Sequence, residues 1–327
     1  MTETTGARNE AIRQSREFYF MEGILLFYKP VNWTNKHILG FLKRTLDVPK
    51  LGHAGTLDPF AEGLMVVAIG RKFTRGLHTL LTSSTKEYIA TIELGKTSDS
   101  FDITGTIIDT ETTKRPSLDD IRHMIDTHLL GERTQVPPVY SAKKFSGKRL
   151  RDIATKEHAH ELAAQRAKTV SLYEYEIISY AYPYLVIRLS VSSGYYIRTF
   201  GNSLGELLGT GAYLTTLKRT RINEYSVDDA LSPDDLSGSI EVHGILSGTV
   251  QGVGYRYFIQ ELAQRHHLTG TVRNEPDNSV SFLVQGDRRD ISHVLRSVHQ
   301  GPAGSHVEDH SFIIKKPHEL FSEFTVL

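Results

Sequence analysis

The chain contains 327 residues, of which 39% are hydrophobic and 23% charged, as expected of a packed protein with two or three domains. It contains no cysteine, which excludes disulfide bonds, thiol nucleophiles and cysteine-ligated zinc sites. The 38 basic and 38 acidic residues balance, so net charge does not indicate a nucleic-acid partner. No apolar run is long enough to span a bilayer, and the start of the chain lacks the apolar core of a signal peptide. Residues 1–20 are therefore expected to form a flexible tail, and the protein is expected to be cytoplasmic.

Residues 21–235 mix helical and strand-like patterns, which predicts a mixed α/β domain. The apolar "GILLFYK" predicts a buried strand, and the alternating "KEYIATIELG" a second strand, followed by a polar loop, "KTSDSFDITG". "NKHILGFLKRTL" has apolar residues at helical spacing, and "SLDDIRHMIDTHL" begins with a serine N-cap, so both are predicted helices. "YLVIRLSVSSGYYIRTFGNSLGELLG" indicates a strand, a turn and a helix that ends at Gly209.

One carboxylate, Asp58, lies between small residues in "LGHAGTLDPFAEGLM". Aspartate followed by proline is typical of a helix start, with the aspartate as N-cap, so a helix is predicted to begin there. The apolar "GLMVVAIG" behind it fits either a strand or the end of a buried helix. From these residues alone, a capping role for Asp58 is favoured over a catalytic one.

The last 90 residues of the chain are preceded by "SPDDLSGS" (residues 232–239), a stretch typical of a linker. Residues 238–327 then follow the order β-α-β-β-α-β, the split βαβ plan of a ferredoxin-like domain, with the last strand placed near "FSEFTVL". This segment has eight basic and ten acidic residues, which argues against a large RNA-binding surface. Basic residues cluster earlier, in "SAKKFSGKRLRD" and "LKRTR". These clusters fit either phosphate contacts or a solvated face.

Five blocks of residues 23–230 occur in the order found in the TruB family, the tRNA pseudouridine-55 synthases, and resemble its motifs. They are "GILLFYKPVNWT", "GHAGTLDPFAEGL", "KEYIATIELGKTSDSFDITG", "QVPPVYSAKKFSGKRL" and "SSGYYIRTFGNSLGELLGTGAYLTTLKRT". Tyr28 and Thr34 depart from the acidic residue and the serine that are common there. The resemblance implies a mixed-sheet catalytic domain over residues 21–235 that modifies the tRNA T-arm at position 55. It also implies an RNA-gripping loop at about residues 130–165.

The chemistry of pseudouridine formation explains the residue types that the resemblance assigns. The bond between uracil N1 and the ribose breaks, the base rotates, and it rejoins through C5. This needs a carboxylate, and neither a metal nor a redox cofactor is expected. The resemblance makes Asp58 this carboxylate, acting at the base or at the ribose, and makes Arg198 its counter-charge.

The resemblance also supplies the surroundings of the flipped uridine. Tyr88 is expected to stack on the base and Tyr196 to line the pocket, while Leu217 closes its apolar wall and His53 fills the gap left in the RNA. Without the family, Tyr88 and Leu217 fit core positions, His53 fits a polar turn, and Tyr196 with Arg198 fits one face of a strand. Phosphate contacts are expected from Lys29, Lys143, Lys144, Lys148 and Lys218.

Residues 238–327 resemble acylphosphatase, through "VQGVGYR", "GTVRN" and "GPAGSHVEDHSF" in that family's order. Glycines in the first block allow successive N–H groups to point inward at a helix start, which suits a phosphate-sized anion. The resemblance implies that Arg256 holds the phosphate and that Asn274 orients the attacking water. The expected phosphate-binding loop is Gln251, Gly252, Val253, Gly254, Tyr255 and Arg256. Thr271 and Asn278 replace a bulky aromatic and a glycine of the family, and Asn278 tolerates the positive φ of the turn.

This module stands where TruB proteins often carry an RNA-binding domain of the PUA type, whose pattern is absent here. Three roles are open for it: hydrolysis of acyl phosphates, which is favoured, contact with RNA phosphates, or passive stabilisation. The expected partners are thus tRNA and a small acyl phosphate, with no membrane and no cofactor, and the chain is expected to act as a monomer. Two other functions compete with this one. The chain could be a non-catalytic RNA-binding or RNA-folding protein, or an acyl phosphate hydrolase that its large first domain only positions.

Overall fold

The structure, a computed structural model, describes residues 21–53, 55–82, 84–138 and 167–327, together with 144–145, 148–149 and 165. The expected N-terminal tail and most of the expected RNA-gripping loop, including Lys143, lie outside these residues. The side chains of Lys144 and Lys148 are not described either.

The first part of the chain alternates strands and helices. Its strands are β1 (Gly23–Lys29), β2 (Leu51–His53), β3 (Glu62–Ile69), β4 (Lys86–Leu94), β5 (Lys96–Ser98), β6 (Ile107–Asp109), β7 (Gly131–Gln135), β8 (Lys144–Phe145), β9 (Lys148–Arg149), β10 (Lys168–Ala181), β11 (Tyr184–Val191), β12 (Ala212–Ile222) and β13 (Tyr225–Ser226). Its helices are α1 (Asn35–Leu46), α2 (Arg71–Thr82), α3 (Leu118–His128) and α4 (Ile197–Leu208).

The predicted helix ends are confirmed where a capping residue was visible in the sequence. The Ser117 hydroxyl accepts a hydrogen bond from the Asp120 N–H, and the Asp120 carboxylate accepts one from the Ser117 N–H. This reciprocal pair is a capping box at the start of α3. Gly209 ends α4 with a φ of 66°, a left-handed conformation that favours glycine. The prediction of a helix start at Asp58 is wrong. Asp58 lies just before a turn instead of a helix. The Asp58 carbonyl accepts a hydrogen bond from the Ala61 N–H at 3.1 Å, which closes the turn, and strand β3 follows.

The second part has the ferredoxin-like plan that the sequence predicted. It contains β14 (Ser239–Thr249), α5 (Tyr255–Arg265), β15 (Thr269–Asn274), β16 (Val280–Asp287), α6 (Arg288–Gln300), β17 (His306–Lys315) and β18 (Phe324–Val326). The fourth strand of this plan is β17, which pairs antiparallel with β14. The last strand predicted near "FSEFTVL" is present as β18, which pairs parallel with β15, but it is additional to the plan, and β17 was missed from the sequence.

The two parts share one sheet. Its order is β18-β15-β16-β14-β17-β1-β3-β12-β4-β11-β10-β7, and β1 pairs parallel with β17 through Ile24 opposite Ile313 and Leu25 opposite Ile314. One apolar cluster also crosses the junction, joining Leu25 and Phe27 to residues of the second part such as Phe312. The second module is thus packed into the core of the first.

The stretch expected to be a linker is itself ordered. Leu231 pairs with β1 through a bond from its N–H to the Leu26 carbonyl at 2.9 Å. Leu236 lies in a 3₁₀ turn (Asp235–Ser237) and is 1% exposed. Lys315 and His318 bind the Asp229 carboxylate at 3.2 and 2.9 Å. The junction is therefore anchored by apolar burial and by ion pairs.

Removing residues 238–327 is expected to destabilise the first part strongly. The deletion exposes one edge of β1 and uncovers core side chains such as Leu25 and Phe27, and burial of each such side chain contributes about 1.5–3 kcal/mol. We expect the fragment 1–237 to lose about 5 kcal/mol or more of unfolding free energy, measured by urea denaturation, or to aggregate. A fragment that unfolds cooperatively at the same urea concentration as the full chain would contradict the shared core.

Candidate active site

A cavity of about 470 Å³ lies at the first part of the sheet, where β4 and β12 meet the N-terminus of α4 and the loop after β2. It adjoins the apolar cluster that includes Leu57, Tyr88, Ile197 and Leu217. Six residues singled out from the sequence line it: His53, Asp58, Tyr88, Tyr196, Arg198 and Leu217. The chain thus brings together side chains from four separate segments at one concave site.

The charged centre of the cavity is a carboxylate–arginine–carboxylate arrangement. Arg198 Nε lies 2.9 Å from Asp58 Oδ2, and Arg198 Nη2 donates to Asp58 Oδ1 at 3.3 Å. On its other side, Arg198 Nη1 donates to Asp102 Oδ2 at 3.0 Å and to the Ser100 carbonyl at 3.1 Å. Arg198 and Asp102 are buried, whereas the Asp58 side chain is 29% exposed. Asp58 is therefore the carboxylate that a ligand can reach.

Burial at the cavity wall raises the pKa of Asp58; the Arg198 guanidinium opposes this rise and the second carboxylate, Asp102, adds to it. The Arg198 guanidinium therefore compensates the charge of two carboxylates, Asp58 and Asp102. The arrangement can hold Asp58 as an oriented anion next to a ligand, which is the requirement for nucleophilic or electrostatic catalysis.

The loop that presents Asp58 is fixed by donors to its carbonyl groups. The Lys29 Nζ donates to the Pro59 carbonyl at 3.0 Å and also to the Ala61 carbonyl. The Arg219 Nη1 donates to the Gly55 carbonyl at 2.9 Å, and the Asn32 N–H bonds the Pro59 carbonyl at 2.8 Å. The carboxylate is thus held by a pinned loop rather than by the helix start that the sequence suggested.

Two lysines expected at RNA phosphates are placed differently. Lys29 is fully buried and uses its ammonium on backbone carbonyls, so the expected phosphate contact of Lys29 is corrected to support of the Asp58 loop. Lys218 follows Leu217 on β12 and is half-buried, with its Nζ 5.9 Å from the centre of the Tyr28 ring. Since neighbouring residues of a strand point to opposite faces, Lys218 faces away from the cavity.

Replacing Lys29 with methionine should disturb catalysis without weakening RNA binding. The change removes a buried donor from three carbonyls; those of Pro59 and Pro30 keep the Asn32 and Trp33 N–H groups, so the cost falls mainly on the Ala61 carbonyl, at about 1–3 kcal/mol of unfolding free energy. We expect kcat to fall on the order of 10²-fold, because small displacements of a reacting group cost that much. The matched control is Lys36→Met, at an exposed lysine on α1. A Lys29→Met effect confined to KM and to salt dependence would restore the phosphate interpretation.

The remaining lining residues lie at defined positions of the fold. Tyr88 on β4 is 7% exposed and Leu217 on β12 is 6% exposed, so each joins the core and the cavity wall. Tyr196 is the N-cap of α4, where its N–H bonds Gln135 Oε1 at 2.7 Å and its carbonyl accepts from Gln135 Nε2 at 3.0 Å. The strand-like interpretation of Tyr196 and Arg198 is therefore wrong. His53, at the end of β2, is half-buried, and burial together with Arg219 lowers its pKa.

Two buried charged residues at the site, Asp102 and Lys86, were missed from the sequence, and a third, Arg219, was noted only as part of the basic cluster "LKRTR". Asp102, in the turn after β5, lies within the quoted "KTSDSFDITG", which was interpreted only as a loop. Lys86 and Arg219 line the cavity from β4 and β12. Lys86 lies two residues before Tyr88 on β4, and Arg219 lies two residues after Leu217 on β12. The period of two along a strand was the signal that could have placed them on the cavity side.

The second candidate site lies in the ferredoxin-like part. Gly252 and Gly254 have φ of 75° and 77°, and no atom lies within 4 Å of a Cβ built on either, so the loop is an open backbone cradle before α5. Gln251 Nε2 donates to the Glu275 and Ser279 carbonyls at 3.0 and 2.7 Å. This side chain ties the loop to the turn after Asn274. Asn278 in that turn has a φ of 67°, as its residue type allows.

The side chains of this loop differ in accessibility. Arg256 is half-buried, and its Nη1 donates to the Leu327 main-chain oxygen at 2.9 Å. Asn274 ends β15 and is exposed. Tyr255 is 2% exposed and its hydroxyl bonds the Val298 carbonyl, so its side chain is not available to a ligand in the loop, and Val253 packs partly against the core. An anion in this loop would thus meet backbone N–H groups and Arg256.

The fold and its matches to known families define a pseudouridine synthase catalytic domain with an acylphosphatase-like module packed on its sheet. Residues 43–197 match the TruB family pseudouridylate synthase (N terminal domain), and residues 242–326 match Acylphosphatase. The crystal structure of a Cbf5-Nop10-Gar1 complex aligns with a TM-score of 0.50 and 25% identity, covering 79% of this chain and 66% of that chain.

Two curated relatives carry the name tRNA pseudouridine synthase B. The one from Chlamydia pneumoniae is 42% identical over 210 residues, which is 64% of this chain and 86% of that protein. The one from Parabacteroides distasonis is 38% identical over 224 residues, 67% of this chain and 93% of that protein. The chain belongs to the TruB family, is a pseudouridine synthase, and carries an acylphosphatase domain. Among the helices that the structure describes, none is long and apolar enough to cross a membrane.

Proposed function

We propose that this chain converts the uridine at position 55, in the T-arm of tRNA, to pseudouridine, with Asp58 as the catalytic carboxylate. The observation that carries the proposal is the two-point pairing of a partly exposed Asp58 with a buried Arg198 at the wall of a cavity of small-ligand size. The names of the relatives support tRNA as the substrate.

The reaction follows from the groups that line the cavity. The uridine leaves its stack, at a cost of a few kcal/mol, and stacks on Tyr88, which returns about 1–3 kcal/mol. Asp58 acts on the base or on the ribose while the N1–C1′ bond breaks; the uracil rotates and C5 bonds C1′. N1 gains a proton and C5 loses one, and the Tyr88 hydroxyl is the candidate to move the C5 proton. Leu217 and Tyr196 keep the base in place.

The RNA contacts beyond the cavity are part of the proposal. His53, which lines the cavity, is proposed to fill the space that the extruded base leaves in the T-arm. Lys143, Lys144 and Lys148 remain the expected phosphate contacts of the RNA-gripping loop. Action as a monomer in the cytoplasm is also part of the proposal.

Tritium release tests this function directly. Unmodified tRNA made with 5-tritiated uridine should release one tritium per tRNA when incubated with the full chain, since C5 exchanges its hydrogen for a carbon bond. The matched control is the same tRNA with cytidine at position 55, which should release none. Release that persists from the control tRNA would reject the position, and no release from either tRNA would reject the activity.

We further propose that the acylphosphatase domain hydrolyses acyl phosphates. In this reaction water attacks phosphorus and the carboxylate leaves, giving carboxylate and inorganic phosphate. The open loop of Gly252 and Gly254 supports phosphate binding with Arg256, and Asn274 is the residue proposed to orient the water. Benzoyl phosphate is the test substrate: Arg256→Ala and Asn274→Ala should each abolish hydrolysis but preserve tritium release.

A stabilising role for this domain, in the place of a PUA domain, is the second candidate. The shared sheet and core favour it, whether or not the domain is also a hydrolase. If the full chain shows no benzoyl phosphate hydrolysis and the fragment 1–237 fails to fold, stabilisation is the remaining role. If Arg256→Ala instead weakens tRNA binding, the loop contacts RNA phosphate.

A further inference from the structure

We propose that Lys86 and Arg219 form a subsite for a phosphodiester group of the nucleotide that enters the cavity. The inference rests on the proposed function, since it concerns how the RNA substrate is held at the same site. Both residues line the cavity, and neither belongs to the Asp58–Arg198–Asp102 arrangement.

The first observation is a buried arginine with a spare donor group. Arg219 is 1% exposed; its Nε donates to the Leu64 carbonyl at 2.8 Å and its Nη1 to the Gly55 carbonyl at 2.9 Å. Its Nη2 is buried and has no hydrogen-bond partner in the described part of the chain. Since a buried polar group without a partner is destabilising, such a donor indicates a missing acceptor.

The second observation is a second cation beside the first. Lys86 is 6% exposed, and its Nζ donates to the Ser193 hydroxyl at 2.9 Å. Burial first, and then repulsion by Arg219, lowers the pKa of Lys86 to about 8. A Cβ built on Gly55 would lie 3.4 Å from Arg219 Nη1 and 3.8 Å from Lys86 Cε. Both distances are ordinary van der Waals contacts, so Arg219 and Lys86 lie beside the same residue and close to each other.

The third observation is the absence of a matching acid. Within the described residues, neither Lys86 nor Arg219 forms an ion pair with a carboxylate, and Asp58 is paired with Arg198 instead. Two like charges out of water repel each other and have lost their hydration, so the pair is stabilised by an incoming anion.

The substrate provides one such anion. Uracil is neutral, so the base alone leaves the two charges unmatched, whereas each nucleotide of RNA carries a phosphodiester on both sides. Arginine donates to phosphate oxygens from a fixed fork, and lysine adds a point charge. A cavity with a carboxylate centre for the base or sugar and a cationic part for the phosphate recognises a nucleotide unit rather than a free base.

The first test measures binding without turnover. Uridine, uridine 3′-monophosphate and uridine 5′-monophosphate are titrated against the full chain by isothermal calorimetry. We expect at least one monophosphate to bind 10-fold or more tightly than uridine, and Lys86→Met, which keeps the length of the side chain but not its charge, to remove that advantage. Equal affinity of all three ligands would overturn the proposal, as would an advantage that survives in Lys86→Met.

The second test uses turnover and separates this proposal from the function it rests on. T-arm stem-loops carry an uncharged methylphosphonate on the 5′ or the 3′ side of the target uridine, and control RNAs carry it in the distal stem. We expect one of the two flanking changes to lower kcat/KM at least 10-fold in the wild type and far less in Lys86→Met. Normal turnover of both flanking variants would refute the subsite but leave the modification function intact. No turnover of the unmodified stem-loop would instead reject the function.

Discussion

The Asp58→Asn variant is expected to form pseudouridine at least about 10⁴-fold more slowly than the wild type, since loss of a group that reacts with the substrate has effects of this size. The amide keeps the shape of the carboxylate and one acceptor oxygen for Arg198, but it cannot act as an anion. Tritium release from tRNA under single-turnover conditions measures the change.

The same variant has a control within the chain. Asp58 belongs to the first part, whereas Arg256 and Asn274 belong to the second. Benzoyl phosphate hydrolysis by Asp58→Asn should therefore equal that of the wild type, which also shows that the shared core is folded. Full pseudouridine formation by Asp58→Asn would remove Asp58 from the mechanism.

The Arg198→Met variant is expected to lose both stability and activity. The change leaves Asp102 buried without a counter-charge and Asp58 without its partner. Removing one member of a buried ion pair costs on the order of 3 kcal/mol or more, because the other charge remains out of water. Urea denaturation at neutral pH should show this loss of unfolding free energy, and tritium release should fall to the level of Asp58→Asn.

The pH dependence of this loss of unfolding free energy tests whether an uncompensated charge causes it. Without Arg198, the charge that opposes the rise in the Asp58 pKa is gone, so the folded-state pKa of Asp58 lies further above its unfolded value and the folded protein binds protons more readily than the unfolded chain. The stability deficit should therefore shrink as the pH is lowered through the range in which Asp58 protonates. The matched double variant Arg198→Met with Asp102→Asn should recover part of the stability but none of the activity. A deficit that does not vary with pH would indicate lost packing instead.

Apolar spacing and capping residues in the sequence were enough to predict several helices. The helices α1, α3 and α4 follow from apolar spacing and from capping residues such as Ser117 and Gly209. The helix start at Asp58 could not be corrected from the sequence. The same Asp-Pro pair fits a turn before a strand, and only the tertiary contacts of Lys29 and Arg219 with this loop decide between the two.

The site residues that lie in a recognisable motif were predicted from the sequence, whereas the buried residues that surround them were not. Asp58 and Arg198 are 140 residues apart, and a resemblance to ordered family blocks brought them together. Asp102 lies 96 residues from Arg198, and its role as the second carboxylate depends on burial and charge compensation. The pairing of β1 with β17 is of the same kind: neither strand carries a local signal for its partner across the junction.

The entry of the target uracil into this cavity can be measured by photocrosslinking. A T-arm stem-loop with 4-thiouridine at position 55 is bound to the full chain, irradiated and digested, and the crosslinked peptides are identified by mass spectrometry. We predict crosslinks to peptides that contain Tyr88, Tyr196 or Leu217. Crosslinks confined to residues outside the cavity, for example in the acylphosphatase domain, would contradict the placement of the reaction beside Asp58 and Arg198.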